Sequence, residues 1–214
     1  MHLGGVFLLW DGANAWPFAD MYGKVVTETS HLQYIGASQH TSFSAELCAQ
    51  CWAYAWALQC GFAHDISFHV HYDSIHAGIV SEGVCRTSQE PLLARLTWAL
   101  RRAVSSVRSV SSSHVKAHDN HPWNEAADAL CTMARNHDFR LCSDNLLSQA
   151  LGSKAGLQWL EARFWPQGKA NQYGIIQGGA HIRLPSSRGF ALQLPSSIIA
   201  SHIDSQQQDH AGEE

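Results

Sequence analysis

The sequence predicts an α/β domain followed by an irregular C-terminal extension, and three stretches carry that prediction. Val6-Phe7-Leu8-Leu9-Trp10 is a continuous apolar run closed by Asp11-Gly12, the pattern of a strand buried on both faces and ended by a turn. From about Phe43 to Cys60, the residues Phe43, Leu47, Cys51, Tyr54 and Leu58 recur at helical spacing. Between Asp65 and Asp73, Ile66, Phe68, Val70 and Tyr72 alternate with Ser67, His69, His71 and Asp73, which is the period of a strand with one polar face.

The remaining elements follow in order. The first strand is expected at the centre of its sheet. Lys24 to Glu28 and Leu32 to Ser38 are β-favouring stretches around Thr29-Ser30, which predicts two further strands. Thr41 and Ser42 offer N-cap hydroxyls to the first helix, and Gly61 stands where a C-terminal glycine belongs. A short helix is expected from Ser74 to about Ser81. A long one from Glu90 to about Val107 carries Leu92, Leu93, Leu96, Leu100 and Val104. Val110 to Val115 reads as a strand, and His121-Pro122 opens a helix continued by Ala126, Ala127, Leu130 and Met133. The predicted order is β-β-β-α-β-α-α-β-α. Beyond Leu141 the texture changes. Asn145 to Trp165 has a helical pattern, Pro166 onward is rich in Gly, Gln, Ser and Pro, and Asp204 to Glu214 is expected to be disordered. The division is a domain over residues 5–140 and an accessory, partly disordered segment over 141–214.

Composition removes several function classes. Of 214 residues, 45% are hydrophobic and 15% charged, with 8 Trp, 8 Phe and 5 Tyr, which excludes a wholly disordered chain. The apolar runs are too interrupted for a membrane span, and the first lacks the basic flank of a signal peptide. Cys48, Cys51, Cys60, Cys85, Cys131 and Cys142 then read as reduced thiols, and the expected location is intracellular, cytoplasmic or nuclear. With 14 Lys+Arg against 18 Asp+Glu the net charge is -4, the wrong sign for holding nucleic acid by a general basic field. Arg95, Arg101, Arg102 and Arg108 form the only basic cluster.

Four carboxylates stand at element ends or on helices: Asp11 after the first strand, Glu46 in the first turn of the first long helix, Asp73 after the alternating strand, and Asp128 in the helix opened by Pro122. Strand ends are where α/β sheets build sites, so Asp11 and Asp73 are candidates for spatial neighbours. Four anions brought together need a cation, because like charges raise one another's pKa. Carboxylate oxygen ligands suit Mg²⁺ or Mn²⁺ rather than zinc. Singly, each has an ordinary reading as a turn former or helix charge.

Four blocks carry a resemblance to the type 1 ribonuclease H family: Leu9-Trp-Asp-Gly-Ala13, Ser44-Ala-Glu-Leu47, Tyr72-Asp-Ser74, and His114 to Asp128. The last, His-Val-Lys-Ala-His-Asp-Asn-His-Pro-Trp-Asn-Glu-Ala-Ala-Asp, resembles the family signature almost position by position. The resemblance covers about residues 5 to 137. It implies a five-stranded mixed sheet flanked by helices, and a metal-dependent endoribonuclease that hydrolyses the RNA strand of RNA–DNA hybrids. It further implies Asp11, Glu46, Asp73 and Asp128 as catalytic ligands of two Mg²⁺ ions, with Mn²⁺ able to substitute, and His118 as the family's mobile histidine. Asn14, Ser42 and Ser74 are candidates for contacts to RNA 2′-hydroxyls.

One departure stands out. The family's glycine-rich stretch after the first Asp-Gly is here Asn14 to Tyr22, with no glycine before Gly23. That departure supports an alternative, a catalytically inactive nucleic-acid-binding or structural module of a retroelement-derived protein. The weak basic field implies loose grip on isolated hybrid, which the rest of a reverse transcriptase polyprotein would supply.

Other candidate features have plain readings. His69, His71 and His76, near Asp73, read as a polar sheet face rather than a zinc set. Cys48 and Cys51 read as helix packing, and Trp52, Trp56 and Trp98 as core or edge residues.

Overall fold

A computed structural model describes residues 1–10, 15–59, 67–119, 121–133, 140–142, 174–177 and 180–183. The elements are β1 (His2–Trp10), β2 (Ala15–Lys24), α1 (Ser42–Gln59), β3 (Phe68–Tyr72), α2 (Ile75–Ser81), α3 (Pro91–Val107), β4 (Val110–His114), α4 (Pro122–Met133), β5 (Arg140–Cys142), β6 (Gly174–Gln177) and β7 (Ala180–Arg183). They fall into two compact units. Of the described residues, one unit comprises Met1 and those within Val25–Lys116, and the other those within His2–Lys24 and Ala117–Phe190.

In the first unit β3 and β4 pair in parallel, Phe68 with Val110 through Tyr72 with His114. The β3–α2–α3–β4 connection supplies the crossover that a parallel pair requires. Helix α1 packs on α3 and α2. It carries so many small residues, Ala45, Cys48, Cys51, Ala53, Ala55 and Ala57 among them, that it is buried on nearly every side. The helix expected from that apolar spacing is therefore a core helix. Leu93, Thr97, Leu100 and Val104 of α3 are fully buried, whereas Leu92 and Leu96, expected on the same side, are exposed and half-buried respectively.

In the second unit β1 pairs antiparallel with β2, and β2 with β5. The strand order β1-β2-β5 puts β2 in the middle, so β1 is not the central strand of this sheet. Leu8 pairs with Pro17 at a register shift between Phe7 and Leu8. A bulge is where a proline, which has no N–H to give a ladder, can be accommodated. Helix α4 lies on β1, and Gly4 permits the approach: a Cβ there would stand 2.6 Å from the carbonyl oxygen of Ala127. Gly174–Gln177 and Ala180–Arg183 form a further hairpin, joined by two residues that are both glycine in the sequence.

Several expectations are corrected. Among the described residues the strands form a three-stranded sheet and two two-stranded ladders, not one five-stranded mixed sheet. The stretches Lys24 to Glu28 and Leu32 to Ser38 are not strands: β2 ends at Lys24 and the chain then enters turns. The N–H of His31 donates to the Glu28 carbonyl, and that of Tyr34 to the His31 carbonyl. Burial of Val25, Val26, Ile35 and Ala37 satisfies the apolar content of this segment without ladder pairing. Conversely Ala15–Lys24, read as an altered loop from Asn14 to Tyr22, is a strand of 10 residues. Pro166 onward was read as having no sustained period, and it contributes β6 and β7. The predicted helical stretch from Asn145 to Trp165 and the tail from Asp204 lie outside the described residues.

Candidate functional site

Asp73 is delivered by the end of β3. Val115 donates its N–H to the Tyr72 carbonyl at 2.8 Å, which carries the parallel ladder one residue past β4. The imidazole Nε2 of His114 lies 3.2 Å from the Asp73 carbonyl oxygen. On the following residue, the Ser74 hydroxyl caps α2 by accepting from the Ala77 N–H at 3.3 Å. Gly78 of α2 faces the Tyr72 ring so closely that no side chain fits between them. The backbone at Asp73 is thus fixed by His114 and Val115 at the end of β4 and by the capped start of α2.

Glu46 is the fifth residue of α1, just past the first turn in which it was expected, and half-buried between the buried Ala45 and Leu47. The start of α1 is set by Thr41, whose hydroxyl accepts from the Ser44 N–H at 3.1 Å. Ser42 is exposed at the first helical position. Behind it, the buried Ser44 hydroxyl donates to Glu90 at 2.7 Å. Glu90, only 2% exposed, also accepts from the Ser38 N–H, the Ser38 hydroxyl and the Gln39 N–H at 2.6, 2.9 and 2.8 Å. Burial pushes its pKa upward, but the hydrogen bonds from Ser44, Ser38 and Gln39 outweigh burial and hold it below the ordinary glutamate value. Glu90 itself sits in the left-handed region at φ 51, as the N-cap of α3. Its carboxylate therefore ties the loop before α1 to the start of α3.

Asp128 lies on α4, and His118 on the turn before it. The His121 ring accepts the Asn124 N–H at 3.3 Å and so caps α4 ahead of Pro122, a role for histidine that its spacing did not announce. Glu125 and Asp128, three apart, share one face of the helix. His118, in the left-handed region at φ 54, turns its ring toward that face. Its Nδ1 is 3.3 Å from Asp128 Oδ2 and 3.9 Å from Glu125 Oε1. One ligand atom from each of the three lies within 4.8 Å of the others. Two hard carboxylate oxygens with one imidazole suit a single divalent cation, so these residues fit a metal.

Two of the predicted residues, His118 and Asp128, are brought together. Glu46 and Asp73 belong to the other compact unit, and Asp11 and Asn14 lie outside the described residues. Sequence reasoning missed Glu125, although its i, i+3 spacing to Asp128 was the available signal. It also missed Glu90, whose partners are 46 or more residues away and leave no local signal. The thiols behave as packing: Cys48 and Cys51 are buried and free, and burial pushes the Cys51 thiol up to about 12. Trp52 is 3% exposed, and the half-buried Trp98 lies under the Arg102 guanidinium at 4.9 Å. No helix among the described residues is long and apolar enough to cross a membrane.

Comparison with known proteins agrees with the signature blocks. The family model for RNase H matches residues 5–136. No curated protein and no solved structure matches the chain. The family match spans more than half of the chain and contains all four blocks, from Leu9 to Asp128, so the chain belongs to the ribonuclease H family.

Proposed function

We propose that this protein is a metal-dependent endoribonuclease that cuts the RNA strand of RNA–DNA hybrids. The single observation that carries the reading is the juxtaposition of His118 with Asp128 and Glu125, inside the segment that the family match covers. In this reading Asp11, Glu46, Asp73 and Asp128 hold two Mg²⁺ ions, with Mn²⁺ as a substitute. When bound, such ions acidify an attacking water and stabilise the charge on the phosphate and the leaving oxygen.

The chain's own residues do the rest. Water oxygen adds to phosphorus, the bond to the 3′ oxygen breaks, and that oxygen takes a proton, leaving 5′-phosphate and 3′-hydroxyl ends. His118, with its side chain 79% exposed, can move a proton at Nδ1 between solvent and the Asp128 side of α4. The capped backbone after Tyr72 keeps Asp73 in place. Ser74 accepts from Ala77 and so keeps its O–H to donate to a 2′-oxygen. Ser42 and Asn14 are the other proposed contacts for telling RNA from DNA.

A second reading, an inactive hybrid-binding module of a retroelement-derived protein, is favoured by one observation. A strand running Ala15–Lys24 stands where the family carries its glycine-rich stretch. The test separates the two: each strand of a hybrid is end-labelled in turn and incubated with and without Mg²⁺, beside single-stranded and duplex RNA and an Asp73→Asn protein. The enzyme reading predicts Mg²⁺-dependent cuts in the RNA strand of the hybrid alone, lost in Asp73→Asn. Hybrid binding without cleavage would establish the module instead.

A further inference from the structure

The exposed face of the β3–β4 ladder carries a second group of metal-competent side chains, apart from the carboxylates above. His69 and His71 stand two apart on β3, so both rings leave the same face. Their centroids are 4.5 Å apart and their planes are inclined at 53°, so the rings converge rather than stack. Opposite them on β4 stand Ser111 and Ser113, in register with His69 and His71. The Ser111 hydroxyl is 2.6 Å from His69 Nδ1. The Ser113 hydroxyl is 2.9 Å from His69 Nε2 and 2.9 Å from His71 Nδ1. One neutral oxygen therefore marks a point at which two imidazole nitrogens are both aimed.

The spacing alone reads as a polar sheet face; the side-chain geometry adds the convergence. Two imidazole nitrogens sharing one point form a chelate for a borderline transition cation, which binds nitrogen at about 2.0–2.1 Å. Drawing both rings in from 2.9 Å needs small side-chain rotations, which exposed rings can make, and the Ser113 hydroxyl is free to turn aside. Hard oxygen-seeking ions such as Mg²⁺ gain little from imidazole, so the two kinds of site sort their ions by chemistry. The geometry points to a zinc-class divalent cation site formed by His69 Nε2 and His71 Nδ1, with water completing the coordination. It is independent of the proposed nuclease activity and lies on the strand that leads into Asp73.

The test is a Zn²⁺ titration of the full chain by calorimetry in excess Mg²⁺, which occupies carboxylate sites and leaves imidazole sites open. Ring ¹⁵N shifts of His69 and His71 are recorded in parallel. The wild-type protein is expected to bind one more Zn²⁺ than His69→Gln and His71→Gln, with both rings shifting together. Asp128→Asn is expected to keep that extra equivalent. Ser113→Ala, which removes the competing hydroxyl, is expected to bind Zn²⁺ at least as tightly as the wild type. Equal Zn²⁺ stoichiometry in the wild type and both histidine variants, or ring shifts confined to other histidines, would overturn the assignment. Loss of the equivalent in Asp128→Asn would assign it to the carboxylate group instead.

Discussion

At the scale of single residues, the buried Glu90 carboxylate offers a clean measurement. Its four donors come from Ser38, Gln39 and Ser44, on the far side of a long stretch of chain. Glu90→Gln keeps the shape but loses the charge and sets an amide N–H₂ against one of those donors, at a cost of about 1–3 kcal/mol. The pH dependence has a definite sign. A folded-state pKa below the unfolded value contributes stability that is fully present above the unfolded pKa, about 4.3 for glutamate, and is lost as pH falls through the folded value. Denaturant midpoints of wild type and Glu90→Gln should therefore differ most at neutral pH and draw together below about pH 4.3. His118 gives the matching prediction for activity. Its Nδ1 lies 3.3 Å from Asp128 Oδ2, and under the proposed role His118→Ala should lower the rate of hybrid cleavage about 10²-fold without moving the thermal midpoint, because the ring is exposed.

Elements supply the close contacts that put those residues in place. Helix α4 meets β1 at Gly4, where a side chain would run into the carbonyl of Ala127 and the sulfur of Cys131. Gly4→Val should destabilise the fold by about 1–3 kcal/mol in urea unfolding, more than Gly4→Ala, because backbone must shift to admit the added atoms. Much of this level was legible in the sequence. The helices at Ser42–Gln59, Ile75–Ser81, Pro91–Val107 and Pro122–Met133 lie within a residue or two of their periodic patterns, because caps such as Ser74 and openers such as Pro91 and Pro122 act locally. Strands were less legible. Val25 and Val26 look β-favouring yet are satisfied by burial in a turn segment, while Ala15–Lys24 becomes a strand through pairing with β1. Pairing is decided by the partner, and a single stretch of sequence does not contain its partner. The same holds for the site. The His114 to Asp128 block announced His118 and Asp128, whereas the Glu90 network depends on contacts between distant segments.

For the molecule as a whole, charge sets how it meets a polyanion. The net charge is -4, and two of the four clustered arginines already have partners: Arg101 donates to the Tyr54 hydroxyl at 2.9 Å, and Arg102 lies over Trp98. That leaves Arg95 and Arg108 of this cluster for phosphates. With about two phosphates neutralised, the slope of log affinity against log salt should be about -1.8, a loss of only about tenfold between 50 and 200 mM. A filter-binding series with hybrid reads this directly. The central claim for the whole chain is that Asp11, Glu46, Asp73 and Asp128 act as one metal-holding unit. Residues acting as a unit lose function together rather than in shares. The most direct measurement is the Mg²⁺-dependent cleavage rate of one RNA–DNA hybrid by Asp11→Asn, Glu46→Gln, Asp73→Asn and Asp128→Asn, each verified as folded by circular dichroism. Every one of the four is expected to fall by about 10³-fold or more, to a common floor. A folded variant among them that cleaves the hybrid at the wild-type rate would contradict it.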